Sequence, residues 1–378
     1  MVILIISGIT LLLCLIYIIV VAVLVRGWKV LPFWQPSGME PLTTTVSVVI
    51  AARNEERNIA KTIDAILAQD YPKDLFELII VDDHSTDKTP LIIDSYAACG
   101  VKLLLLRESE KLNSYKKKAI SKAIETATGE LIVATDADCY MGPRWLSTIV
   151  SLYQEKHYRF ISSPVTYAEE RSYFERLQTL EFLYLIGIGA SSIGLKQPST
   201  CNGANLAYRR DVFYELDGFK GIDDLASGDD ELFLHKVAKR YPEAIGFCKS
   251  RDAMVYTAAK ENMTELIRQR RRWASKSTKY KNKKIVALGV GVWLFNLMIL
   301  LTATLGIAYA WAIKVTVIVL LAKMFIELVF ACFLTRFARR PHLLWNIPLL
   351  SILHMVYLVY IGIAGNTGKY QWKGRMVK

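Results

Sequence analysis

The chain has no charged residue before Arg26, no two cysteines spaced CxxC, no internal repeat and no low-complexity tract. A cleaved secretory leader begins with basic residues ahead of a shorter apolar core, so the uncharged run Val2–Val25 does not read as one. That run exceeds the roughly 20 residues needed to cross a hydrocarbon core and reads as a transmembrane anchor over residues 1–26. Cys14, Cys99, Cys139, Cys201, Cys248 and Cys332 lack the spacing of a zinc site or a disulfide framework and read as reduced thiols. Glycine is missing from Ala51–Glu56, behind the first apolar strand pattern. A nucleotidyltransferase would carry a glycine-rich phosphate loop there.

What is present is apolar and basic. Of 378 residues, 53% are hydrophobic, and the formal net charge is +12. Such an excess suits nucleic acid, an anionic membrane or a phosphate-bearing substrate. The apolar runs decide for the membrane and against nucleic acid. Arg26 and Lys29 follow the first run, which places the next domain on the cytoplasmic side of an inner or plasma membrane. From residue 285 to 365 the chain is apolar again, with candidate spans Leu288–Ile313, Val315–Leu334 and Leu343–Ala364. Lys314 alone separates the first two. One span before the domain and three after it put the tail, 366–378, outside, yet that tail is basic and has no acidic residue. Either the rule fails or one late segment re-enters or lies on the surface, and Pro348 singles out the last. Phe174–Leu195 is charged early and apolar late, which suits an interfacial helix or a buried core helix.

Residues 45–275 form the intervening block. Apolar runs in TVSVVIAARNEE, FELIIVDDHSTDKT and GELIVATDADC alternate with helical patterns such as Asn58–Gln69, as βαβ units of a parallel sheet do. Ligands of such sheets bind beyond the carboxyl ends of the strands. Asn54 and Glu55, Asp82 and Asp83, and Asp136 and Asp138 fall there. Asp136 and Asp138 can converge on Mg2+ or Mn2+, which take oxygen ligands and bridge carboxylates to phosphates; a solvated turn is the plain alternative. Asp83 suits a base or ribose, or the cap of the next turn, and Asp82 suits a structural role. Asn54 would cap the next helix, and Glu55 would touch a base. Asp229 and Asp230 precede the helical run ELFLHKVAKR, either as a general base or as acids complementing a helix dipole. Gln269, Arg272 and Trp273, at i, i+3 and i+4, would share a helix face offering an amide, a phosphate-binding guanidinium and a ring for a pyranose. Lys276, Lys279, Lys281, Lys283 and Lys284 continue this as a basic membrane-surface segment. Cys201, Asn202 and Gly203 suit an acceptor pocket, or a tight turn that needs Gly203. Lys116–Lys118 reads as a solvated helix face rather than a phosphate contact.

Taken in order, VSVVIAARNEE, IIVDDHSTD, ATDADC, CNGANLAYRR, GDDELF and QRRRW resemble the family 2 glycosyltransferases, which include cellulose, hyaluronan and chitin synthases and ceramide glucosyltransferases. The resemblance runs from about Val46 to Trp273. It implies an α/β domain of GT-A fold, with a Rossmann-like mixed sheet, joined to transmembrane helices. It also implies a nucleotide-sugar donor, usually a UDP-sugar, and Mg2+ or Mn2+. By position, Asp83 would hold the nucleoside, Asp136 the diphosphate and metal, and Asp138 the metal. Asp230 would be the base, while Gln269, Arg272 and Trp273 would hold the diphosphate and frame the acceptor. Two departures stand out: Asp229-Asp230 replaces the usual Glu-Asp, and Ala51-Ala52-Arg53 lacks the usual proline. The expected activity is inverting transfer of a sugar to a lipid or lipid-linked acceptor at the membrane. A processive polysaccharide synthase is the alternative, although four spans are few for a channel. A nucleotidyltransferase and an inactive membrane scaffold are the readings from other classes. The absent glycine loop counts against the first, and the intact set of acids against the second.

Overall fold

The structure is a computed structural model that describes residues 2–36, 38, 41–107, 114–225, 227–276, 280–365, 370–372 and 375–377. Helix α1 (Val2–Val30) precedes β1 (Val46–Ala52), α2 (Ile59–Leu67), β2 (Phe76–Asp82), α3 (Thr89–Asp94) and β3 (Val101–Leu105). Next come α4 (Tyr115–Thr126), β4 (Leu131–Asp136), β5 (Tyr140–Met141), α5 (Trp145–Lys156), β6 (Phe160–Ser162) and β7 (Val165–Tyr167). These lead to α6 (Tyr173–Gly194), β8 (Leu206–Arg209), α7 (Arg210–Glu215), α8 (Glu231–Arg240), β9 (Ile245–Phe247), β10 (Val255–Thr257) and α9 (Met263–Ala274). The chain then forms α10 (Lys283–Leu305), α11 (Ala310–Phe337), α12 (Ile347–Ala364) and the pair β11 (Tyr370–Trp372) and β12 (Arg375–Val377). It divides into two compact units. One holds Met1–Trp28, Glu170–Gly187 and Lys260–Tyr370; the other holds Lys29–Glu169, Ile188–Ala259 and Gln371–Lys378.

The α/β unit is built on a seven-stranded sheet of order β3-β2-β1-β4-β8-β6-β9. The runs VSVVIAA, FELIIVD and LIVATD are buried nearly throughout, which is why they form the middle of a parallel sheet rather than an alternating one. β8 runs antiparallel to β4, so the sheet is mixed. Helix α2 buries Ile59, Thr62, Ile63 and Ile66, a face spaced i, i+3, i+4, i+7. Each isoleucine so buried contributes roughly 1.5–3 kcal/mol. A smaller sheet, β5-β10-β7, completes the unit.

The apolar unit contains, among the described residues, four helical segments long and apolar enough to cross a membrane: Ile3–Val30, Lys283–Leu305, Ala310–Phe337 and Pro341–Ala364. The break between the second and third lies at 306–309, not at Lys314, which falls inside α11. Gly306 sets it. A Cβ there would stand 3.0 Å from Ala303 O and 3.1 Å from Ile313 N, tighter than usual contact, so glycine eases the packing of the start of α11 on the end of α10. Segment 174–195 proves to be a buried helix rather than an interfacial one. Leu180 and Leu183 join Ala331, Leu343 and Ile347 in one cluster, and Tyr184 meets Phe330 edge-on at 5.0 Å. The buried carboxylate of Glu327 is paired, as the cost of burying a charge demands. Glu327 accepts from Tyr17 at 2.6 Å, Lys323 at 2.7 Å and Ser351 at 2.6 Å.

Candidate active site

Strand register brings the acids of the sequence to one edge. Ala51 pairs with Asp136 and Ala52 with Asp82, so β2 and β4 end level on either side of β1. Two strand spacings put these ends about 10 Å apart. β1 and β4 also flank the point where strand order reverses, since β2 and β3 lie to one side and β4 and β8 to the other. Such a switch point opens a crevice.

Asp136, the last residue of β4, is followed by a turn in which Cys139 N–H donates to Asp136 O and Thr62 Oγ1 donates to Ala137 O. The turn folds Asp138 back. Ligand atoms of Asp136, Asp138 and Cys139 all lie within 4.8 Å of one another. Burial, then the carboxylates of Asp138 and Asp136, push the Cys139 thiol well up. The two carboxylates are hard oxygen donors of the kind Mg2+ or Mn2+ take.

The feature that sequence reading missed is Lys116. Its ammonium donates to Asp136 at 2.8 Å and lies 3.2 Å from Asp229. Burial opposes its charge, but the two carboxylates outweigh that and raise its pKa. Lys117 is buried and donates to the carbonyls of Ile222, Leu225 and Ser227. Of Lys116, Lys117 and Lys118, only Lys118 is exposed, so the run is not a solvated face. A signal existed: Lys117 shares the α4 face of Ile120 and Ile124, at i, i+3 and i+7.

Because β8 runs antiparallel to β4, its first residue, Leu206, pairs with Ala134 near the carboxyl end of β4. The preceding loop, with Cys201, Asn202 and Gly203, therefore arrives beside Asp136. A Cβ on Gly203 would stand 3.4 Å from both Asp229 Oδ2 and Lys116 Nζ, and 3.5 Å from Asp230 Cβ. Gly203 is not among the residues of positive φ, so turn conformation does not require glycine, and these distances are ordinary van der Waals contacts. Asn202 Oδ1 accepts from Ala204 N–H within the loop. Gly228, at φ 87°, does need the left-handed region, and it turns the chain into Asp229 and Asp230. Asp230 caps α8: Oδ1 accepts from Glu231 N–H at 2.7 Å while Oδ2 accepts from Gly203 N–H at 3.0 Å. Lys116, Asp136, Asp229, Asp230 and Gly203 thus form one constellation.

At the end of β2, Asp83 is buried, with Oδ1 at 3.0 Å from His84 Nδ1. Asp82 is structural, accepting from Ser85 N–H. Asn54 does not cap α2. That position belongs to Asn58, and Asn54 accepts from Thr86 N–H across to the next loop. Glu55 accepts from Asn58 Nδ2 at 2.9 Å, which leaves it at the mouth of α2.

Gln269, Arg272 and Trp273 lie on α9, in the apolar unit. Arg270, between them in sequence, is buried and organises that helix. It pairs with Glu181 at 2.8 Å, donates to Gln269 Oε1 at 2.7 Å and places its guanidinium 4.2 Å from the Trp273 ring. Trp273 also stacks on Phe182 at 6.0 Å. Of the basic residues that follow, Lys281, Lys283 and Lys284 are exposed, Lys276 is buried and so not a surface charge, and Lys279 lies outside the described residues.

The family model described as Glycosyl transferase family 2 matches residues 47–217. The chain is 37% identical over 111 residues to a beta-monoglucosyldiacylglycerol synthase of Nostoc sp., covering 29% of this chain and 24% of that protein. It is 28% identical over 193 residues to glycosyltransferase AglE of Haloferax volcanii, covering 49% and 58% respectively. It therefore spans less than two thirds of either relative. Among solved structures, the mannosyltransferase PcManGT of Pyrobaculum calidifontis, in complex with GDP-Man and Mn2+, superposes with a TM-score of 0.56 at 19% identity, covering 94% of this chain and 98% of that one. That identity speaks for the fold alone. Residues 47–217 thus match the model of the family 2 glycosyl transferases, and the sheet that carries them has the GT-A fold.

Proposed function

We propose that this chain is a membrane-bound, inverting glycosyltransferase that moves a sugar from a nucleotide-sugar, a UDP-sugar by the family resemblance, to a lipid or lipid-linked acceptor. The observation that carries the reading is the constellation of Lys116, Asp136, Asp229, Asp230 and Gly203 next to Asp138. Asp83 and Glu55 receive the nucleoside at the ends of β2 and β1. Asp136 and Asp138 would hold Mg2+ or Mn2+, which when bound offsets charge on the departing diphosphate. Lys116 keeps Asp136 and Asp229 apart and adds positive charge to the same edge. Asp230 accepts the proton of the acceptor hydroxyl as that oxygen attacks the sugar carbon, and a single displacement inverts the anomeric centre. Cys201, Asn202 and Gly203 line the acceptor side. The resemblance gives Gln269 and Arg272 the diphosphate and Trp273 the acceptor, and the hold of Arg270 on Gln269 and Trp273 supports a shared, preformed face. The apolar helices favour a lipid acceptor over a growing polymer, as does a relative named for a glucosyl lipid. Arg26 and Lys29 favour a cytoplasmic catalytic domain in an inner or plasma membrane.

The test uses detergent-solubilised full-length protein, radiolabelled UDP- and GDP-sugars and a membrane lipid extract. Label should pass to the organic phase only with Mn2+ or Mg2+. Asp138→Ala should abolish the metal-dependent part of donor binding in calorimetry. Donor binding by that variant that still responds to Mn2+ as in the wild type would sink the metal assignment. Consumption of nucleoside triphosphate in place of nucleotide-sugar would move the chain to nucleotidyl transfer.

A further inference from the structure

We infer that α12 does not cross the bilayer, but enters and leaves by the same face and lies across the helix bundle within one leaflet. The other helices supply a depth scale. Trp28 meets Phe337 at 5.3 Å, Tyr17 meets Phe295 at 4.9 Å and donates to Glu327, and Thr10 is hydrogen-bonded to Thr302 at 2.8 Å. Helix α1 is thus parallel to α11 and antiparallel to α10. Trp28, Lys283 and Phe337 define one face. At 1.5 Å per residue, the eighteen residues from Trp28 to Thr10 cover about 27 Å, close to the thickness of a hydrocarbon core.

On this scale α12 begins shallow. Ile347 packs with Ala331, six residues from Phe337, or about 9 Å deep. Ser351 donates to Glu327, ten residues from Phe337, or about 15 Å deep. A crossing helix would bring Gly362, fifteen residues beyond Ile347, to a depth of about 30 Å, level with Thr302. Gly362 instead lies on Trp293, where a Cβ would stand 2.3 Å from Cδ1, and Trp293 Nε1 donates to Val359 O at 3.2 Å. Trp293 is ten residues into α10, again about 15 Å deep. The helix then ends against α9. Arg271 Nε donates to Ala364 O at 3.2 Å, and a Cβ on Gly365 would stand 2.5 Å from Ala274 Cβ. That end of α9 is held by Glu181 and Phe182, next to Leu180 and Leu183, which pack with Ile347 at the other end of α12. Both ends of α12 are therefore level.

The chemistry suits a helix that stops inside protein. The last carbonyls of a helix need donors where water is absent, and Arg271 supplies one while complementing the helix dipole. Pro348, in the first turn, needs no N–H partner there. The outer face exposes Leu349, Leu353, Val356, Tyr360 and Ile363, an apolar stripe whose occupant is the acyl-chain layer of a single leaflet. With three crossings instead of four, Gly365 lies on the same side of the midplane as Trp28 and Phe337, and the basic tail obeys the positive-inside rule.

Full-length protein with Cys99→Ser, to remove the exposed native thiol, is placed in sealed vesicles and treated with a membrane-impermeant maleimide. Val377→Cys should be labelled from the same side as Ser275→Cys and from the side opposite to Ile307→Cys. Labelling of Val377→Cys together with Ile307→Cys overturns the inference. Spin labels at Leu349→Cys, Val356→Cys and Ile363→Cys give a second measure. All three should report depths in one leaflet. A crossing helix would separate the outer two by about 21 Å, and labels on opposite sides of the midplane would refute a transverse helix.

Discussion

Asp230 joins two pieces of chain through one carboxylate, capping α8 with one oxygen and holding Gly203 with the other. Capping therefore does not compete with a role as base; it aims the side chain. Asp230→Asn keeps an oxygen for Glu231 N–H but turns an amide N–H toward Gly203 N–H, at a cost of about 1 kcal/mol. The fold should survive this. Transfer should fall by about 10²- to 10⁴-fold while donor affinity, measured by calorimetry, stays within about twofold. Affinity falling in step with rate would remove Asp230 from the chemistry. Lys116 shows how charge is managed in the same space: one ammonium separates Asp136 from Asp229, which would otherwise repel.

At the scale of elements, Glu77 ties the parallel strands together below the site. It sits on β2 and accepts from Ser47 of β1 at 2.6 Å, from Lys102 of β3 at 2.7 Å, and from the N–H and hydroxyl of Thr128, just before β4, at 2.7 Å each. Burial opposes its ionisation, but the Lys102 ammonium and the Ser47 and Thr128 donors outweigh it and lower its pKa to about 2. A depressed carboxylate stabilises the fold fully above its ordinary pKa of 4.5, and that contribution is lost as pH falls toward 2. Glu77→Gln should cost about 2 kcal/mol at pH 7. The gap in melting temperature between wild type and variant should narrow steadily from pH 5 to pH 2.5. A gap that is constant over that range would show that the ionised form carries no stability. The loop that delivers Asp229 and Asp230 is anchored in a similar way, by the three carbonyls that Lys117 gathers.

At the scale of the molecule, the buried pair Lys323–Glu327 links α11 to α1 through Tyr17 and to α12 through Ser351. Removing one charge strands the other in a medium that cannot solvate it. Lys323→Met or Glu327→Gln alone should destabilise the detergent-solubilised protein by about 3–5 kcal/mol, and the double variant by clearly less than the sum. Strict additivity in thermal unfolding would mean that the two charges do not interact.

Much of this organisation is local and so legible in the chain. Strands β1, β2 and β4 are continuous apolar runs, and their ends are marked by Asp82, Asp83, Asp136 and Asp138. Span length and the charges at Arg26 and Lys29 need no partner to be read. Other features depend on residues far apart in sequence. Lys116 looked like one of three surface lysines until β4 and the loop before α8 came to flank it. Gly203 comes beside Asp229 and Asp230 only when the loops before β8 and α8 meet. The break at Gly306 comes from a contact with Ile313 rather than from the lone charge of Lys314. Hydropathy measures what a segment gains by leaving water, and for 341–364 it allows a full crossing. The depth of that segment is set by its partners Glu327, Trp293 and Ala274, and only the tertiary structure brings these together.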